Sequence, residues 1–186
     1  MTTLKSMTAL ETPHIILREI VRSDVEELSG FMTQPRYQRH IAHRLRDGAM
    51  VKDFVRRQIA AQNDSRRQIY HLAAEEKYST DVVGEGFLIA HGDGSHEAGW
   101  GVHPAMWSTG LGTEIGHALL GMAFERLNAT RVWSKVMVAN TASAKLARRI
   151  GMALVTSHET YNIGNGRVGA VDIYAIAATD YFDLPY

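Results

Sequence analysis

The first third of the chain has the hydrophobic pattern of one strand followed by two amphipathic helices. The run 14–19 (HIILRE) predicts a short strand. Ser23 and Glu26 have the spacing of a capping box, so the first helix should begin there and end before Pro35. A second helix is predicted over about 49–62. Its apolar stripe consists of Val51, Phe54, Val55 and Ile59.

The middle of the chain changes to short apolar runs that polar turns separate, which is typical of strands. The predicted strands are 68–75, 82–90 and 97–103. Lys77, Ser79, Thr80 and Asp81 form the first turn, and the segment HGDGS at 91–95 forms the second. Because these turns are short, the three strands should form an antiparallel meander.

The last part of the chain alternates between helical and strand patterns. The predicted elements are helices at 112–127 and 141–150 and strands at 131–138, 152–158 and 168–176. Asn140 is expected to cap the second of these helices, and Gly151 lies where a helix end favours glycine. A meander that leads into a strand–helix–strand unit predicts an α/β fold with one mixed sheet and helices on both faces.

The composition fits one soluble domain over residues 1–186. Twenty basic residues balance twenty acidic ones, so the basic surface of a nucleic-acid-binding protein is not expected. The absence of cysteine excludes disulfides, thiolate zinc sites and cysteine nucleophiles. No membrane span or signal peptide is evident, which predicts a cytoplasmic protein. His40 and His43 lack the further ligands of a zinc motif, so no metal is expected.

The most informative segment is 104–114 (PAMWSTGLGTE), which lies between a predicted strand and a predicted helix. Gly110 and Gly112 allow unusual backbone angles and the close approach of a ligand. The first turn of the helix presents unpaired N–H groups, and the helix dipole adds partial positive charge. The segment could therefore hold a phosphate or a pyrophosphate without a lysine, with the Thr113 hydroxyl as a further donor.

Two other interpretations fit parts of this segment. A glycine-containing loop without a ligand is the simplest one. A dinucleotide fingerprint would use Gly110, Gly112 and Gly116, but about six residues separate the strand from Gly110 and no carboxylate ends the next strand. The Gly-Lys-Ser/Thr of a phosphate-binding P-loop is absent.

Four segments, in order, resemble the GNAT acetyltransferases, and in particular the branch of the ribosomal-protein N-acetyltransferases (RimJ/RimL-like). These segments are LRE at 17–19 with Asp24, EAGWGVHPAMWSTGLGTE at 97–114, NTASAKLARRIGM at 140–152 and DIYA at 172–175. The resemblance covers nearly the whole chain. It implies the GNAT fold, here a mixed, mostly antiparallel sheet of about seven strands with about four helices on both faces.

The resemblance also implies a binding site for acetyl-CoA. The residues expected to bind the pyrophosphate are Ser108, Thr109, Gly110, Leu111, Gly112 and Thr113. Gly101, Val102 and His103 would pair with the pantetheine arm, Asn140 would hydrogen-bond it, and Ser143 would lie near the sulfur or the phosphates. The sequence departs from the family at Ser108, where glycine is preferred. It departs again at Ala147, where many members carry the tyrosine that protonates the thiolate.

The implied reaction is direct attack of a primary amine on the acetyl group, with Glu97 as the candidate general base and Ser143 as a candidate acid. An α-amine with a pKa near 8 needs only about 1.4 kcal/mol to lose its proton at pH 7, whereas a lysine-like amine needs about 4.6 kcal/mol. A protein N-terminus or a small-molecule amine is the expected acceptor. Homodimers are common in the family, and a non-catalytic acyl-CoA-binding module is the alternative function.

Several other side chains have candidate roles near the reaction. Glu114 is expected to stabilise the helix dipole rather than to act in catalysis. His103 either faces the substrate or is an ordinary exposed histidine. Tyr161 and Tyr174 either flank the acceptor or pack in the core.

Overall fold

The structure is a computed structural model, and it describes residues 9–41, 44–162 and 168–184. His43 lies outside these residues. The strands are β1 (Leu10–Glu11), β2 (Ile15–Glu19), β3 (Ile69–Glu76), β4 (Val82–Ala90), β5 (Ser95–Val102), β6 (Arg131–Met137), β7 (Ala153–Asn162) and β8 (Val168–Ala177). The helices are α1 (Val25–Met32), α2 (Gly48–Gln62), α3 (Leu111–Gly121), α4 (Thr141–Arg149) and α5 (Ala178–Phe182).

All eight strands form one sheet in the order β1-β2-β3-β4-β5-β6-β8-β7. Neighbouring strands are antiparallel, except that β5 and β6 are parallel. Helix α3 provides the crossover that a parallel pair needs. The predicted mixed, mostly antiparallel sheet is therefore confirmed, with one strand and one helix more than expected because β1 and α5 are too short to leave a pattern.

The two faces of the sheet bury separate apolar clusters. One cluster lies under α1 and α2 and contains Phe31, Val51 and Val55. The other lies under α3 and α4 and contains Ile115, Leu119 and other residues from nearly every strand. We call these the α1–α2 face and the α3–α4 face. Along β5 the side chains alternate between them, so that Ala98 and Trp100 are on the α3–α4 face whereas the Cα hydrogens of Gly99 and Gly101 face α1 and α2.

The ends of the helices agree with the sequence in part. Asn140 caps α4 by accepting a hydrogen bond from the Ser143 amide, and Gly151 follows α4 with φ +92°, both as predicted. Helix α3 ends at Gly121 and continues to Arg126 as a wider π-type turn. The capping box predicted at Ser23 is wrong, because α1 begins at Val25.

A buried carboxylate takes the place of that capping box. Asp24 is 3% exposed, and its two oxygens accept one hydrogen bond each from Arg18, both at 2.9 Å. Oδ2 also accepts the amide of Val21 at 2.8 Å. Arg18 in turn donates to Glu75 on β3 at 2.5 Å. The start of α1 is therefore fixed to the sheet by charge-assisted hydrogen bonds rather than by a local cap.

None of the helices in the described ranges has the length and hydropathy that a bilayer span requires. Within the same ranges, no three His, Asp or Glu side chains are grouped closely enough to hold a metal ion.

The Arg18–Asp24 pair gives a stability prediction. Asp24→Ala should lower the free energy of unfolding by about 3 kcal/mol, because it leaves a partly buried guanidinium without its main partner. Urea denaturation would measure this change. Asp53→Ala is the matched control, since the Asp53–Arg56 pair is mostly exposed and should contribute less than about 0.5 kcal/mol. Equal losses in the two variants would contradict the prediction.

Candidate functional site

The site begins where β5 and β6 separate. Their parallel pairing covers only three positions and ends at Glu97 and Trp133, although both strands continue beyond it. The amide of His103 donates to the Val83 carbonyl of β4. Because backbone groups alternate along an antiparallel strand, the amides of Trp100 and Val102 must point the other way, into the gap between β5 and β6. This gap presents a strand edge with unused donors.

The residues predicted to pair with pantetheine differ in what they offer. Val102 directs its amide into the gap, but its carbonyl already accepts the Trp107 indole N–H at 2.8 Å. The His103 amide is used by β4, and its ring Nδ1 accepts the Ala105 amide at 3.0 Å. The His103 ring also packs against Phe31. His103 therefore shapes the turn after β5. The sequence predicted instead that it pairs with the pantetheine arm.

The segment 108–113 forms a loop whose amides converge at the start of α3. Gly110 precedes the helix with φ +98°, and its carbonyl accepts the amides of Thr113 at 2.9 Å and Glu114 at 3.2 Å. In the described part of the chain, the amides of residues 108–112 donate no hydrogen bond. Together with the helix dipole, these amides can hold a diphosphate.

The two glycines of this loop serve different purposes. A Cβ added at Gly110 would meet no atom within 4 Å, so its positive φ is the constraint. A Cβ at Gly112 would lie 2.8 Å from Cδ1 of Leu146 on α4. Gly112 is therefore needed for the close contact between α3 and α4. The sequence predicted that its missing side chain makes room for a ligand, but Leu146 occupies that space.

Ser108 has φ +68°, in the left-handed region that favours glycine. The family resemblance predicts glycine at this position, and glycine adopts this backbone conformation without strain. The serine adopts the same turn at an energetic cost, and its side chain is exposed.

Glu114 is turned away from the loop amides. Its carboxylate accepts the Thr12 hydroxyl at 2.6 Å and the His14 amide at 3.2 Å, and it contacts the His14 ring. Burial raises the pKa of Glu114, but the hydrogen bonds from Thr12 and His14 outweigh it, and the pKa lies below its usual range. A cleft of about 510 Å³ between Thr12, His117 and Tyr181 shares only Glu114 with the segment 104–114. Glu114 thus ties α3 to the N-terminal segment.

Ser143 lies in the first turn of α4, on the other side of the gap. Its amide donates to Oδ1 of Asn140 at 3.2 Å, and its hydroxyl oxygen accepts the Trp100 indole N–H at 3.1 Å. Among the hydrogen bonds of the described residues, the Asn140 side chain takes part only through Oδ1, so its amide nitrogen can donate to a ligand. Ala147, one turn later, is fully buried. The resemblance points to positions 143 and 147 of α4 for the group that protonates the thiolate. Of these two, only Ser143 carries a hydroxyl.

Glu97 lies on the α1–α2 face of β5, at the last paired position. Its Oε1 lies 3.2 Å from Nζ of Lys135 on β6, and Lys135 also donates to the Tyr161 hydroxyl at 2.7 Å. Burial lowers the pKa of Lys135, but Tyr161 and Glu97 raise it by more, so the lysine stays charged. Tyr161 is thus beside the gap, whereas Tyr174 is fully buried with Arg148 over its ring and is a packing residue.

A buried polar triad on the α1–α2 face was missed in the sequence. Glu85 on β4 accepts the Tyr37 hydroxyl at 2.8 Å and contacts Nε2 of His71 on β3. Burial raises the pKa of Glu85, but the contacts with His71 and Tyr37 outweigh burial, and the pKa lies below its usual range. Burial and the nearby Glu85 raise the pKa of Tyr37 well above its usual range. A Cβ at Gly101 would lie 2.0 Å from the Tyr37 hydroxyl. The triad therefore supports β5 where it faces the gap, and no local pattern indicates it.

Comparison with known proteins agrees with this geometry. The family model described as "Acetyltransferase (GNAT) domain" matches residues 14–153. The chain is 23% identical to the N-acetyltransferase p20 of Bacillus licheniformis over 178 residues, which is 94% of this chain and 99% of that protein.

Solved structures share the fold at low sequence identity. The ribosomal-protein-S5-alanine acetyltransferase of Vibrio fischeri superimposes with a TM-score of 0.79 at 14% identity, covering 94% of this chain and 99% of that one. The spermidine N-acetyltransferase of Vibrio cholerae, solved with CoA and spermine, gives 0.76 at 16% identity, covering 92% and 100%. These likenesses concern the fold alone.

Ser108 gives a prediction for the loop. Ser108→Gly should raise the free energy of unfolding by about 0.5–1 kcal/mol, because removing the Cβ strain outweighs the added flexibility of glycine. Ser108→Ala keeps the Cβ and should give no such gain. Thermal unfolding of the three proteins would measure the difference, and a stabilised alanine variant would contradict this account.

Proposed function

Because the chain belongs to the GNAT family of acyl-CoA-dependent acetyltransferases, we propose that it transfers acetyl from acetyl-CoA to a primary amine. The amine attacks directly, with both substrates bound at once. The acceptor is a protein N-terminal α-amine or a small-molecule amine.

The observation that supports this proposal most is the set of unused backbone amides, which lie along the β5 edge of the gap and in the loop before α3. The amides of residues 108–112 fit the diphosphate of the cofactor. The unpaired edge of β5 fits the pantetheine arm, because an extended chain with amide groups can add to a strand edge. The Asn140 side chain stands opposite this edge, at the start of α4.

The bound cofactor supplies a thioester whose carbonyl carbon accepts the amine nitrogen. The chain has to orient the amine, remove its protons and stabilise the sulfur as it leaves. Ser143 is our candidate for the last of these tasks. Glu97 stays a prediction as the general base: its position at the opening of the gap favours it, and its carboxylate lies 3.2 Å from Nζ of Lys135.

The charges near the gap favour an acceptor with a single amine over a polyamine. The two carboxylates on this face of β4 and β5 are already paired, Glu85 with His71 and Glu97 with Lys135. A polycation needs free carboxylates to offset the loss of its hydration. An α-amine also needs less help to lose its proton than a polyamine.

Thiol release tests the function directly. The chain has no cysteine, so a thiol reagent reports only free CoA. The acceptor panel would contain a peptide with a free α-amine, the same peptide with a blocked N-terminus and one lysine, and spermidine. We expect release with the free α-amine. Binding of CoA in calorimetry without release on any acceptor would contradict transfer and favour a binding module.

Thr109 tests the position of the diphosphate. Thr109→Glu places a negative charge on the exposed loop and should weaken CoA binding at least about tenfold, because two like charges about 5 Å apart repel by roughly 3 kcal/mol near a protein surface. Thr109→Gln has nearly the same shape and removes the same hydroxyl contact with Met106. The glutamine variant should therefore bind CoA within threefold of the unmodified protein. Equal affinities of the two variants would place the diphosphate elsewhere.

Variants of Glu97 and Lys135 distinguish a general base from a purely structural ion pair. If Glu97 removes the amine proton, Glu97→Gln should lower kcat about 100-fold with the KM for acetyl-CoA unchanged. Lys135→Met breaks the same ion pair but keeps the carboxylate, so it should lower kcat far less. A glutamine variant with kcat within threefold would exclude Glu97 as the base.

A further inference from the structure

A hydrogen bond between Trp100 and Ser143 crosses the gap on the α3–α4 face. Trp100 lies on β5 beyond the last position paired with β6, and Ser143 is the third residue of α4. The indole Nε1 and the serine Oγ are 3.1 Å apart. Because an indole N–H can only donate, the serine oxygen must be the acceptor. The direction of this bond is therefore fixed.

The hydrogen of the Ser143 hydroxyl is consequently free for a ligand. A serine in a helix often donates to the carbonyl one turn earlier, as Ser29 does to Val25 at 2.5 Å. The residue four positions before Ser143 is Ala139, which precedes the helix. Among the hydrogen bonds of the described residues, the Ser143 hydroxyl occurs only as an acceptor. Its O–H therefore has no competing partner within that part of the chain.

We propose that Trp100 is a positioning residue that holds Ser143 so that its hydroxyl donates to the sulfur leaving the acetyl group. This inference rests on the proposed function. The amine nitrogen forms a bond to the acyl carbon, the carbon–sulfur bond breaks, and its electron pair goes to sulfur. The sulfur takes a proton through Ser143, which recovers one from solvent. The amine gives up its own protons to a base or to water.

The indole makes the serine a better donor. A serine hydroxyl is a much weaker acid than a thiol, whose pKa is about 8.5. Ser143 therefore does not become a stable alkoxide. It donates a hydrogen bond to the thiolate and passes on a proton that solvent replaces. Partial negative charge develops on Oγ as its proton moves towards sulfur. A hydrogen bond donated to Oγ favours that charge. At Ala147, where related enzymes carry a tyrosine, the side chain has no proton to give.

A double-mutant cycle tests the inference. Trp100→Phe keeps an aromatic ring and removes the N–H, and it should lower kcat about tenfold, the usual effect of losing one hydrogen bond. Ser143→Ala should lower kcat about 100-fold. In the Ser143→Ala protein, Trp100→Phe should cost less than twofold more. Affinity for CoA should stay within threefold throughout, and Ser143→Thr should restore most of kcat.

Ser29→Ala is the control for loss of a helix hydroxyl, and it should leave kcat unchanged. Independent, multiplicative effects of the Trp100 and Ser143 variants would overturn the inference. An unchanged kcat in Trp100→Phe would also overturn it. Should Trp100→Phe not fold, a Ser143→Ala protein with kcat within threefold of the unmodified one would have the same consequence.

A spectroscopic measurement needs no turnover. The three tryptophans give three indole N–H signals in a proton–nitrogen correlation spectrum. Ser143→Ala should move the Trp100 signal and leave that of Trp107, whose indole donates to Val102. An unmoved Trp100 signal would refute the inference and leave the proposed function intact. Absence of CoA binding and of thiol release in the unmodified protein would instead refute the proposed function.

Discussion

The short pairing between β5 and β6 is the constraint on which the rest of the site depends. Two parallel strands that separate after three residues leave one strand edge without partners inside a folded sheet. Unpaired backbone amides are costly when buried, so such a gap persists only where solvent or a ligand can satisfy them. Here the loop before α3 adds further unused amides at the end of the same gap. The backbone therefore provides most of the donors.

Because the backbone supplies the donors, side chains on the two faces of β5 have other tasks. On the α1–α2 face, the hydroxyl of Tyr37 lies against Gly101 and is held by Glu85 and His71. A buried ionised carboxylate of this kind needs every one of its partners, so the triad should be rigid. On the α3–α4 face, Trp100 reaches across to Ser143. The gap is thus bounded by polar contacts on both faces.

The structure shows the surroundings of the two positions, 108 and 147, at which the sequence departs from the family pattern. Ser108 occupies a left-handed backbone conformation that glycine would adopt without strain, so the loop keeps its shape at a cost in stability. Ala147 is enclosed in the core, and the neighbouring turn of α4 instead presents Ser143, supported by an indole. The chain thus retains the loop, and on α4 it offers a serine hydroxyl where the resemblance leads one to expect a tyrosine.

From the amino-acid sequence alone one could predict the order of most strands and helices, the cap at Asn140 and the glycine-containing loop before α3. These features arise from interactions within a few residues, and such interactions leave a readable pattern. The position of β8 between β6 and β7, the early end of the β5–β6 pairing and the ion pair of Glu97 were decided only by the tertiary structure. Trp100 and Ser143 are 43 residues apart, and Tyr37 and Glu85 are 48 apart. Contacts at such separations depend on how the elements pack, and neither partner carries a local sign of the other.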